Sequence, residues 1–73
     1  VFPNPAFDRL FIAKDAMRGD WQLIALDGIR QDQRLILMEE STDYHVYSLE
    51  GLKPGYYIFN NHSGLVQKVL IQR

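Results

Sequence analysis

The sequence predicts an all-β fold. Two observations carry this. Turn signals recur along the 73 residues, at Arg18-Gly19-Asp20, Asp27-Gly28, Glu40-Ser41-Thr42-Asp43, Lys53-Pro54-Gly55 and His62-Ser63-Gly64. The runs between them are short and rich in β-branched, aromatic and aliphatic residues, as strands require.

Taken in order, Val1-Phe2 reads as a short edge strand that Pro3 and Pro5 stop abruptly. Neither proline can donate a ladder hydrogen bond, and each confines the residue before it to extended backbone. Asp8 to Ala13 follows as a strand with Leu10 and Ile12 on one face and Phe11 on the other. Ala13 to Met17 has room for one helical turn before Gly19. Trp21 to Leu26 is apolar on both faces by its end, which predicts a central strand. Asp27-Gly28 is a hairpin signal, because Gly tolerates positive φ and Asp bonds its own backbone. Arg34 to Met38 is read as the next strand, and Tyr44 to Leu49 as another. The chain then reaches Pro54-Gly55 through Leu52, and that dipeptide fits the centre of a type II turn. Tyr56 to Phe59 and Leu65 to Ile71 form the last hairpin. In the closing strand Val69 and Ile71 share the core face, and Lys68, Leu70 and Gln72 share the other. About seven strands in one domain, residues 1–73, match a small immunoglobulin-like antiparallel β-sandwich.

Composition narrows the function classes. Eight Lys and Arg stand against nine Asp and Glu, for a net charge of -1. That balance argues against a nucleic-acid partner, which needs a basic face to displace counterions. No apolar run reaches the roughly 20 residues of a membrane-spanning helix. No basic segment followed by an apolar one suggests a leader peptide. Cysteine is absent, so disulfides and thiolate metal sites are excluded. A domain this small must depend on tight packing, a neighbouring domain or self-association. The chain opens on Val1 rather than Met and is read as a fragment of a longer protein, or a mature processed form.

Reactive constellations are missing. His45 and His62 sit on different elements without metal-ligand spacing, so neither a metal nor another cofactor is expected. Ser41, Thr42, Ser48 and Ser63 lie in no nucleophile elbow and near no signposted His–acid pair. Glu39 and Glu40 are neighbours, and neighbours in a strand point to opposite faces rather than forming a carboxylate dyad. Asn61-His62-Ser63 matches a glycosylation sequon, a tripeptide common by chance. The aromatic residues suit a core better than a sugar-stacking face. No catalytic residue is expected, and the chain is read as not an enzyme.

What remains distinctive is the pair of ends. The order Phe2-Pro3-Asn4-Pro5-Ala6, a Leu10/Ile12 strand, Leu26-Asp27-Gly28, then Leu49…Leu52-Lys53-Pro54-Gly55-x-Tyr57, and Lys68-Val69-Leu70-Ile71 at the close resembles the C-terminal sorting domain of the type IX (Por) secretion system of Bacteroidetes. The resemblance runs over the whole chain. It implies a non-catalytic β-sandwich at the end of a secreted protein, covalently preceded by a cargo domain. It further implies passage through the periplasm, recognition by the outer-membrane translocon, and processing by a sortase-like peptidase before the cargo is released or held at the cell surface. Carried over by position, Pro3, Asn4 and Pro5 match the opening motif, and Gly55 and Tyr57 the central Gly-x-Tyr. Lys68, Val69, Leu70, Ile71, Gln72 and Arg73 match the closing segment on which translocation depends. Phe7 departs from the family pattern, being bulkier than the usual small or polar residue. A different class, an immunoglobulin-like adhesion or carbohydrate-binding module, is suggested by the tyrosines, with Tyr44 and Tyr56 as contact residues. Edge-to-edge or swapped homodimers are compatible with so small a β-domain.

Overall fold

Period-two burial sets the first strand. In β1, Arg9–Ala13, Leu10 and Ile12 are fully buried while Phe11 faces outward. The structure, a computed structural model, describes residues 1–72. After β1 comes a 3-10 turn, Lys14–Met17, where one helical turn was expected. Next are β2, Trp21–Ala25; a second 3-10 turn, Asp32–Arg34; β3, Ile36–Glu40; β4, Tyr44–Ser48; β5, Gly55–Asn61; and β6, Val66–Ile71.

These six strands form two three-stranded antiparallel sheets, ordered β1-β4-β3 and β2-β5-β6. The sheets bury their facing sides together, as a small β-sandwich does. Leu10, Ile12, Tyr47 and Leu49 come from the first sheet or its margin, and Leu23, Tyr57, Phe59, Val69 and Ile71 from the second. Trp21 adds its ring between Tyr47 and Phe59, with centroids 5.9 Å and 5.8 Å away.

Four expectations need correction. Among the described residues the strand count is six, not seven: Val1-Phe2 contributes a single bridge, Phe2 to Phe11, because Asn4, the next residue in phase to bond β1, is held against Lys68 and Leu70 instead. β2 is an edge strand, not a central one. Its outer face carries Gln22 and Ile24, both half-buried, and the segment after Asp27-Gly28 folds back along its free edge. The chain reverses at that dipeptide, with Gly28 at φ 88° and the Asp27 carboxylate accepting from the Ile29 N–H at 2.9 Å. The reversal holds for one bridge, Ile24 to Arg30, and the Gln31 N–H donates to the Leu23 carbonyl. The chain then crosses to the other sheet.

β3 begins two residues later than read, at Ile36, because Arg34 ends the 3-10 turn and the Leu35 N–H donates back to the Asp32 carbonyl. It extends to Glu40, where the Ser41 hydroxyl takes the N–H groups of Asp43 and Tyr44 and closes the turn. Finally, Pro54-Gly55 is not the centre of a type II turn. The reversal lies at Leu49–Leu52, closed by the Leu52 N–H on the Leu49 carbonyl, and Gly55 is already the first residue of β5.

Asp32 anchors the crossing. Its carboxylate accepts from Arg30 at 3.1 Å and 2.9 Å and from the Leu23 N–H at 3.5 Å. Partial burial pushes its pKa upward, but the Arg30 hydrogen bond and charge with the backbone donors outweigh that, and the group lies below the ordinary carboxylate value.

Candidate functional site

The residues singled out at the two ends and at Gly55-x-Tyr57 converge on one strand. β6 pairs with β5 along one edge, with Ile71 opposite Gly55 and Val69 opposite Tyr57. The two-residue spacing of Gly-x-Tyr is the strand period, so both residues meet core-facing positions of β6. Gly55 has φ 146°, a backbone conformation that residues with a side chain rarely adopt. Tyr57 is buried, and its hydroxyl donates to the Lys53 carbonyl at 2.6 Å, fixing the loop that delivers β5.

The other edge of β6 is taken by the opening segment. Pro3 and Pro5 have no N–H to give a strand, and the Asn4 carboxamide supplies a donor and an acceptor in their place. Its Nδ2 donates to the Lys68 carbonyl at 2.8 Å, and its Oδ1 accepts from the Leu70 N–H at 2.9 Å. Ala6 continues the pairing in parallel, donating to the Leu70 carbonyl and accepting from the Gln72 N–H, both at 2.8 Å. Gln67 completes the seam by donating to the Val1 carbonyl at 2.8 Å. From Lys68 to Gln72 this edge is occupied, so it is not a free template for strand addition.

What β6 presents outward is a side-chain face. Val69 and Ile71 are buried as expected, Lys68 and Gln72 are exposed, and Leu70 is half-buried. The Lys68 ammonium lies 4.3 Å from the centre of the Tyr56 ring, a cation–π contact. Tyr56 lies opposite Leu70, and Ile58 opposite Lys68, so the four share this face. Arg73 lies outside the described residues. Sequence reasoning did not find the Asn4 clip, the full burial of Ala6, or Tyr56 beneath Lys68. An Asn held between two prolines was the available signal for the first.

Elsewhere the polar residues are used structurally. His45 Nε2 lies 3.1 Å from Glu40 Oε1, and Nδ1 lies 3.4 Å from the Tyr47 hydroxyl. Burial, with the charge of Glu40, raises the Tyr47 phenol above its ordinary value. Glu39 pairs across from Val46 and Glu40 from His45, so the two carboxylates lie on opposite faces. His62 donates its backbone N–H to the Asp20 carbonyl. The sequon residue Asn61 is engaged at both ends, donating to the Ala16 carbonyl and accepting from the Leu65 N–H. Tyr44 packs edge-on against Phe2 and Phe11 outside the first sheet, and Tyr56 lies outside the second. These two tyrosines do not form a common platform. An open cleft of about 660 Å³ lies among Phe7, Arg9, Met38, Ser48, Glu50 and Gln72. Its Ser48 hydroxyl accepts from the Glu50 N–H.

Compared with protein families, curated proteins and solved structures, the chain matches none of them.

Proposed function

We propose that this chain is a type IX C-terminal sorting domain, an immunoglobulin-like sandwich that the outer-membrane translocon reads as an export signal for a preceding cargo. One observation carries the reading: Pro3-Asn4-Pro5, Gly55-x-Tyr57 and the closing segment meet on β6, one motif on each of its edges. A signal made of the chain's last strand needs that strand held in one conformation, and the two motifs supply the hold. Because the backbone edge is occupied, the translocon reads side chains: Lys68, Leu70 and Gln72, with Tyr56 beside them. The domain performs no chemistry. A sortase-like peptidase acts ahead of it, and the cargo ends secreted or at the cell surface.

The test fuses residues 1–73 to a periplasmic reporter in a type IX host. Deletion of Lys68–Arg73 removes core residues Val69 and Ile71 along with the signal, so a second variant, K68E/Q72E, changes only exposed side chains. Export is expected from the parent and from neither variant. Equal export of all three refutes the reading.

A further inference from the structure

Three of the four sheet edges are covered by the chain itself. Phe2 exchanges both backbone hydrogen bonds with Phe11 on β1. The 29–32 segment lies along β2, and Asn4 with Ala6 along β6. The fourth edge, β3, differs. Among the described residues no backbone group pairs with its outer side, and all five of its residues are exposed. Three of them are large and apolar: Ile36, Leu37 and Met38 are 55%, 46% and 51% exposed. An apolar edge left bare is open to strand pairing, even with the one-residue bulge between Leu37 and Glu39 that bends it.

We propose that β3 is a pairing edge for a second copy of this chain, antiparallel to itself about a two-fold axis at Leu37. The sequence Arg34-Leu35-Ile36-Leu37-Met38-Glu39-Glu40 is complementary to itself in that direction. Its basic residue stands at one end and its two acidic residues at the other. Pairing Leu37 with Leu37 of the second copy sets Ile36 beside the other Met38. The Arg34 end of each strand then meets the Glu39-Glu40 end of its mate, and no like charges are opposed. The register break between Leu37 and Glu39 sets Met38 and Glu39 together opposite Val46. Both therefore stand on the Ile36 face, where Met38 meets Ile36 and Glu39 lies nearest Arg34. The two sheets β1-β4-β3 join into one six-stranded sheet. This edge belongs to the first sheet and the face proposed for the translocon to the second, with Met38 and Gln72 meeting across the open cleft; the pairing does not rest on the translocon reading.

The contact is small, below the roughly 1,200 Å² of a standard interface, so association in the high-micromolar range is expected. Sedimentation velocity from about 10 μM to about 1 mM reads it. A concentration-dependent dimer is expected for the parent. Leu37→Lys and Arg34→Glu each lower its affinity at least about tenfold, and R34E/E39R restores it. The chain has no cysteine, so Leu37→Cys reports the register directly: mild oxidation yields a covalent dimer, and Ile29→Cys on the opposite sheet does not. A monomer at every concentration, or a dimer indifferent to Leu37→Lys, overturns the proposal. Failure of R34E/E39R to rescue, or equal cross-linking at residue 29, overturns the register.

Discussion

Replacing Asn4 by Ala removes the two hydrogen bonds that join the opening segment to β6, and leaves both backbones otherwise unchanged. The Lys68 carbonyl and the Leu70 N–H then turn to water, since Asn4 is exposed and solvent reaches the gap. A bond of this kind contributes about 1 kcal/mol net, so the pair is worth about 1–2 kcal/mol. For a domain of this length that lowers Tm by about 4–16 °C. Asn4→Asp keeps an acceptor for Leu70 but sets an oxygen against the Lys68 carbonyl, and is expected to cost at least as much. Urea unfolding followed through Trp21, the one tryptophan, which packs against Tyr47 and Phe59, measures the loss. Amide exchange locates it: the Leu70 N–H loses protection in the Ala variant, while the Leu23 N–H on the far edge strand keeps its own. An Ala variant within about 0.3 kcal/mol of the parent, with Leu70 still protected, would refute the clip.

Gly55→Ala places a side chain at φ 146°. There is open space for the added carbon, so the cost is backbone strain alone, about 2 kcal/mol of unfolding free energy, seen as a lower urea midpoint; an unchanged midpoint removes the reason given for that glycine. Asp32 sits below its ordinary pKa, so its contribution is complete above the unfolded carboxylate value and drains away as pH falls through the folded one. Asp32→Asn is therefore less stable than the parent at neutral pH and level with it in strong acid; a gap independent of pH refutes the carboxylate's role.

Much of the fold was legible because period-two burial is a local property. Leu10 and Ile12 against Phe11, and Val69 and Ile71 against Lys68 and Gln72, were readable from single strands. Edge and centre were not. Trp21 to Ala25 reads as a central run, yet it pairs with β5 alone and meets residues 29–32 on its free edge through one bridge, a pairing that an apolar run does not encode. β3 was misplaced because Leu35 continues the apolar run, although its N–H belongs to the preceding turn. At the candidate site, the buried half of the closing strand was visible from alternation. The Asn4 clip was not, since it joins positions 64 and 66 residues apart. An amide that substitutes for a missing peptide N–H has no periodic signature.

The opening segment and β6 run side by side in the same direction. Tension applied at the two termini of the domain therefore slides them past one another. The Asn4 and Ala6 contacts would bear that load together, in shear, instead of parting in succession. A passenger joined ahead of Val1 would be coupled to the strand through this clasp, and the domain would resist being drawn out lengthwise more than its small core suggests.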